Sequence, residues 1–278
     1  MFPVLIDLGR HDLPLLGETH LFLPTYGVLF AIGAVVAWGW LLRRGRGLGI
    51  PDDKLFNISF YTLLAGIVGA KLLLVALEWR SYLRHPAELL GTLRSAGVLG
   101  GGVIAGAIVF ALYARRHGLP ALRLADAAAA PLAAAQAIGR LGCFFAGCCW
   151  GVEAHAGNPL ACVFTDIRAR AQTGVPLNTP LIAVQLIQAV HDVLLAGLLT
   201  WLWRRRTGPP GTVAWIYVIV YGIGRTVIEL WRGDRQRGLF LADRLSTSQI
   251  LAIVAVLFAG LMLARGLVRQ RHADGVRS

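Results

Sequence analysis

LFNISFYTLLAGIVGAKLLLVALE, residues 55–78, decides the architecture of this chain. The hydrocarbon core of a bilayer takes about 20 largely apolar residues of helix. This stretch supplies them with a single charge, Lys71, ahead of its closing glutamate. Six more windows read the same way, at 21–42, 97–114, 122–142, 180–203, 211–230 and 247–267. The window at 122–142 is the weakest, being Ala-rich and carrying Asp126, Pro131 and Gln136. The expected fold class is an all-α polytopic membrane protein with seven transmembrane helices. An odd number of spans puts the two termini on opposite sides.

Composition agrees. Of the 278 residues 56% are hydrophobic and 15% charged, and the mean hydropathy is +0.63. A soluble domain carries about a quarter charged residues, and a disordered chain has far fewer apolar ones. The net charge of +12 therefore points to membrane topology and anionic lipid headgroups, and no nucleic-acid partner is expected. Only Lys54 and Lys71 among the 27 basic residues are lysines. Arginine suits bidentate phosphate binding better than lysine does, although an Ala- and Gly-rich chain is also Arg-rich through coding bias. The opening MFPVLIDLGR lacks a basic leader and carries Asp7 early, so it reads as an amphipathic stretch at the membrane surface and not as a cleavable signal.

Orientation follows from the loops. One side collects Arg43, Arg44, Arg46 and Lys54, then Arg115, Arg116 and Arg123, then Arg204, Arg205 and Arg206, then Arg265, Arg269, Arg271 and Arg277. These fourteen hug short loops and helix ends, against ten on the other side, which places the first side in the cytoplasm. The N-terminus is then outside and the C-terminus cytoplasmic. The chain reads as a single membrane domain over 1–278, with 143–179 as a small extracytoplasmic cap too short to fold alone.

Charged groups inside spans are costly and usually functional. Lys71 lies within the second span, and Gly100, Gly101 and Gly102 open the third, where bare backbone lets a neighbouring helix or a ligand approach. Tyr26 starts the first span beside Gly27. Arg140 sits at the outer end of the fourth, inside GRLGCFFAGCCWG (139–151). Tyr221, Arg225 and Glu229 repeat every four residues on the sixth, and Arg232 follows. That spacing aligns them on one face. An Arg–Glu pair that neutralises itself for insertion is one reading. The other is a polar wall in which Arg225 is free to bind an anion and Arg140 joins it, two guanidiniums suiting a phosphate.

His191 and Asp192 are adjacent in the fifth span and so point about 100° apart. That geometry argues for a packed, hydrogen-bonded histidine over a catalytic dyad. Cys143, Cys148, Cys149 and Cys162 fall near or beyond the outer surface, where disulfides are allowed. C-x4-C-C with distant Cys162 and His155 is a poor match to zinc spacing, so neither metal nor cofactor is expected. A structural disulfide, inert thiols and a chemical role all stay open.

Several motifs together resemble the prolipoprotein diacylglyceryl transferase family. They are TYG (25–27), GGGVIAG (100–106), Asp126 and Pro131 leading into GRLG (139–142), Gly151, the series Tyr221, Arg225, Glu229, Arg232, and LSTSQ (245–249). The resemblance covers most of the chain in order and spacing. It implies an enzyme of the bacterial cytoplasmic (inner) membrane, with its site toward the outer leaflet. The sn-1,2-diacylglyceryl group of phosphatidylglycerol would pass to the lipobox cysteine thiol of a secreted prolipoprotein signal peptide, and glycerol phosphate would leave, with membrane lipids as the surroundings. By resemblance Arg140 and Arg225 would hold the phosphate and Tyr26 and Tyr221 line the site, with Glu229 beside them. Lys71, Gly100, Gly101, Gly102, Gly139, Gly142, Gly151 and Arg232 would bind substrate.

The chain also departs from the pattern. Gly100 stands where the family has a histidine, the usual candidate for activating the thiol. Cys143, Ala146 and Cys148 replace Asn, Asn and Glu of the arginine motif, and Gln185-Leu186-Ile187-Gln188 is the remnant of a motif before the fifth span. Three outcomes are compatible with this. The same reaction runs with another base, such as Glu229 or an arginine-activated thiolate; a paralogue uses a different acceptor; or a non-catalytic member binds phospholipid. A thiol-redox membrane protein is a more distant class.

Overall fold

The computed structural model describes residues 2–13, 17–85, 97–155, 157–206, 208–234, 239–240 and 245–275. Arg277, counted above among the loop charges, lies outside them. Among the described residues, seven helices are long and apolar enough to cross a membrane. They are α1 (Thr25–Arg46), α2 (Asp52–Leu77), α4 (Leu99–Arg116), α5 (Ala121–Ala146), α7 (Val184–Arg205), α8 (Thr212–Ile228) and α9 (Thr247–Gly275). Two short helices, α3 (Trp79–Arg84) and α6 (Ile167–Thr173), lie between them. Large apolar side chains such as Leu72, Val103 and Leu257 are more than half exposed, as contact with lipid tails requires.

Two spans begin later than the sequence suggests, because their first residues pair as strands. β1 (Val4–Leu13) and β2 (Gly17–Pro24) form an antiparallel hairpin that absorbs 21–24. The N-terminal stretch is thus one strand of a hairpin, with two register shifts along it. Its cross-strand partners, from Pro24 opposite Val4 to His20 opposite Arg10, lie well downstream and leave no local signature in the first ten residues. In the same way β4 (Pro180–Ile182) pairs with β3 (Ala161–Val163) and takes the start of the fifth window.

The chain forms two compact units, one of residues 40–127 and one of 1–39 with 128–278. In the first, α2 and α4 pack backbone to backbone. A Cβ at Gly101 would stand 2.4 Å from the Gly69 carbonyl oxygen, and one at Gly102 would stand 2.7 Å from that of Gly66. Val98 donates its N–H to the Ala70 carbonyl at 2.9 Å. Lipid offers no hydrophobic drive between helices, so close approach through small residues supplies dispersion contact instead. Ile50, Leu55, Ile58, Ala114 and Leu124 form the buried core at one end of this unit.

Pro131 interrupts α5 without breaking it. Proline has no N–H for the carbonyl four residues back, which is that of Ala127. Arg44 Nη1 donates to that oxygen at 3.3 Å. Arg44 is 8% exposed and lies over the Trp40 ring. A residue read from sequence as a loop charge is therefore a structural donor, because an orphaned carbonyl in a bilayer costs several kcal/mol.

In the second unit α8 packs against both α7 and α9. The LSTSQ stretch starts α9 through a capping box. Ser246 Oγ accepts from the Gln249 N–H at 3.2 Å, and Gln249 Oε1 accepts from the Ser246 N–H at 2.9 Å. Gly224 on α8 leaves room for a ring, since a Cβ there would stand 2.2 Å from His191 Nε2.

Candidate active site

Arg140 is placed by the last turns of α5, Arg225 by the last turn of α8, and Glu229 by the 3-10 turn Glu229–Trp231 that follows. Arg140 and Arg225 line one narrow cleft with Arg232, Cys149, Val184, Gln185, Gln188 and Ile228, and Glu229 lies against Arg225.

Its charges are unequally partnered. Arg225 Nη2 meets Glu229 Oε2 at 2.5 Å, and Arg232 Nη1 reaches the same oxygen at 3.6 Å. Arg232 also grips Asp234 with Nε at 2.9 Å from Oδ1 and Nη2 at 2.5 Å from Oδ2. Arg225 is thus ion-paired and not free, because the i, i+4 spacing that aligned it with Glu229 also brings them into contact. Glu229, 2% exposed at its side chain, serves two guanidiniums as counter-ion. Arg140 has no carboxylate within ion-pair distance among the described residues and lies beside the Tyr221 hydroxyl.

A polar layer continues along α7 and α8. Tyr217 donates to Gln136 Oε1 at 2.9 Å and stacks on Tyr221. His191 Nδ1 lies 2.9 Å from Asp192 Oδ1, and Gln188 Nε2 donates to the same oxygen at 2.9 Å. The two neighbours therefore do touch, contrary to the 100° argument. Helix geometry fixes Cβ directions, whereas the side-chain torsions let Nδ1 and the carboxylate curl together. His191 is nonetheless packed and hydrogen-bonded against Gly224, as read from the sequence. The Oε1 atoms of Gln185 and Gln188 are buried with no hydrogen-bond partner, and both residues line the cleft. Buried orphan acceptors of this kind call for a donor.

The connection from α5 to α7 closes over this region. Gly151 donates to the Ile182 carbonyl at 3.1 Å, Val152 to that of Trp231 at 2.8 Å, and Gly233 to that of Trp150 at 3.0 Å. A Cβ at Gly151 would stand 2.3 Å from the Ile182 oxygen, so only glycine fits. Its bridge to Arg232 sets that arginine from the backbone. Gly142 packs on Tyr26, with a Cβ there 3.2 Å from Tyr26 Cδ2, whereas nothing stands over Gly139. Tyr26 is 39% exposed. Lys71 and Gly100, Gly101 and Gly102 belong to the other unit, on α2 and in the first turn of α4. All four cysteines are free thiols.

Of the predicted site residues, the structure thus brings Arg140, Arg225, Tyr221, Glu229 and Arg232 together. The sequence reading missed Asp234 as the grip on Arg232, and Cys149 as part of the lining. Asp234 carried a signal, a carboxylate two residues after an arginine. Cys149 carried none, since its place depends on a left-handed turn.

Seven apolar spans and a cleft lined by three arginines define a multi-pass membrane protein. The sequence model of prolipoprotein diacylglyceryl transferase matches residues 16–265, and the chain belongs to that family of transferases. It is 33% identical over 232 residues to the phosphatidylglycerol–prolipoprotein diacylglyceryl transferase of Clostridium tetani, covering 84% of this chain and 88% of the relative. It is 32% identical to a second enzyme of that name from Clostridium perfringens, over 86% and 89%. The Synechococcus elongatus relative is 30% identical over 96% of this chain and 89% of its own.

Proposed function

We propose that this chain transfers the diacylglyceryl group of phosphatidylglycerol to the lipobox cysteine of a prolipoprotein, in the cytoplasmic membrane and toward its outer leaflet. The thiolate sulfur attacks the glycerol carbon that carries the phosphate. An S–C bond forms, the C–O bond breaks with its electron pair passing to the phosphate, and glycerol phosphate leaves.

The observation that carries this reading is Arg140, a guanidinium in a membrane helix with no carboxylate partner among the described residues, facing a cleft shared with Arg225 and Arg232. Donors aimed at the leaving phosphate stabilise charge that grows in the transition state. Tyr221 orients Arg140, and Glu229 positions Arg225 and Arg232. The orphan Oε1 atoms of Gln185 and Gln188 suit the hydroxyls of a glycerol headgroup. A second cleft, lined by Val4, Leu5, Val28, Leu29, Ile32 and Phe145, offers apolar walls for acyl chains. Lys71, Gly100, Gly101, Gly102, Gly139 and Tyr26 remain in the proposal as contacts to the incoming lipid and peptide.

The test is direct. Purified protein in vesicles containing phosphatidylglycerol should move a labelled diacylglyceryl group to a lipobox peptide. Folded protein that binds the lipid and transfers nothing would leave a lipid-binding member instead.

A further inference from the structure

Transfer to a thiol needs a thiolate, and none of the residues that line the arginine cleft is a carboxylate or a histidine. Three cysteines supply an answer. Cys143 lies in the last turn of α5, and Cys148 and Cys149 follow in the tight loop after it. Their sulfurs all lie within 4.8 Å of one another. Four ligands at a Zn–S distance of about 2.3 Å stand about 3.8 Å apart, so closing on one ion needs shifts below about an ångström. A disulfide needs two of the sulfurs to close to about 2.05 Å.

The loop that gathers them is held in advance. Gly147 has φ +74, and a Cβ there would stand 3.0 Å from Ala169 Cβ. Its carbonyl accepts from Thr173 Oγ1 at 2.9 Å, and the Cys148 carbonyl accepts from Gln185 Nε2 at 2.8 Å. Cys149 has φ +58, a left-handed conformation uncommon for a residue with a Cβ and kept only where its surroundings enforce it. That turn brings its sulfur round to the other two and into the lining of the arginine cleft.

We propose that Cys143, Cys148 and Cys149 bind one zinc ion, whose open fourth position takes the acceptor cysteine as its thiolate. Three protein ligands with one vacant position is the pattern of catalytic zinc, whereas structural zinc is closed by four. Spacing along the sequence hid this set, because C-x4-C-C says nothing of the left-handed turns at 147 and 149. Zinc deprotonates a coordinated thiol outright. The acceptor's proton passes to water, its sulfur lone pair forms the S–C bond, and zinc stays divalent throughout. Three thiolates around zinc carry one net negative charge, which Arg140 and Arg232 in the adjoining cleft offset. The sulfur would thus be activated beside the guanidiniums that receive the phosphate.

The metal site stands on the cysteines alone; its catalytic part rests on the transferase reading above. Two measurements separate them. Protein loaded with zinc and desalted should retain close to one ion per chain. Cys149→Ser should lose it and Cys162→Ser should keep it. Cobalt(II) added to metal-stripped wild type should give thiolate-to-metal charge-transfer absorption, which needs no variant to fold. No stoichiometric zinc and no such band, or a disulfide among the three sulfurs in fully active protein, would overturn the site. In the transfer assay, stripping the metal should cut turnover roughly 100-fold, the scale of a lost acid–base group, and zinc should restore it. Full transfer after stripping overturns the catalytic part. Zinc held by the three cysteines with no transfer in any metal state defeats the transferase reading and leaves the metal site standing.

Discussion

Replacing Arg140 by alanine removes a guanidinium with no carboxylate partner among the described residues, so the change should cost chemistry more than folding. We expect transfer to fall roughly 10²- to 10³-fold with thermal stability nearly unchanged. Arg140→Lys should recover little, because an ammonium cannot reproduce the planar fork. Arg225 behaves differently. Arg225→Ala leaves the Glu229 carboxylate buried with less compensation, and breaking a buried pair in this way costs about 3–5 kcal/mol. Arg225→Ala combined with Glu229→Gln should regain much of the melting temperature and none of the activity. Recovered activity in that double variant would remove Arg225 from phosphate binding. The arginines were legible in the sequence, since charges in apolar windows announce themselves. Their partners were legible only along one helix face. The contact of His191 with Asp192 was not, because it depends on side-chain torsions that backbone periodicity does not carry.

Helices in this chain are held by small residues and by end chemistry more than by apolar matching. A Cβ at Gly101 meets the Gly69 carbonyl oxygen and Leu73 Cβ, neither of which can swing aside. Gly101→Val should therefore destabilise the α2–α4 pair by about 1–3 kcal/mol, read as a lower melting temperature in detergent. Ser246→Ala removes one half of the reciprocal cap of α9 and should cost about 1 kcal/mol. The seven long elements were readable because a bilayer imposes one length on every crossing helix. The hairpin of β1 and β2 was not, because strand pairing is a relation between segments, and the first ten residues alone fit a surface-lying stretch equally well. The same limit shortened the fifth span by its pairing with β3.

For the whole molecule, the seven spans and the loop arginines predict an arrangement that can be measured. A thiol-reactive, membrane-impermeant label should reach a cysteine at Thr173 in a cysteine-free background from outside the cell, and one at Arg269 only after the membrane is opened. Labelling of both from the same side would refute the topology. The seven-span architecture was thus readable from composition and window length. The division into two compact units was not, because its boundaries fall inside α1 and α5, where nothing in the apolar pattern changes.

The backbone ties of Gly151, Val152 and Gly233 have one more consequence. They join three chain segments far apart in sequence, 150–152, 180–182 and 231–233, so no single amide among them can open alone. In hydrogen–deuterium exchange these amides should report as one cooperative unit with a shared opening free energy. The seating of Arg232 is then written into main-chain cooperativity. A one-residue insertion between Trp150 and Glu153 would shift the register of these ties and dislodge the arginine at once.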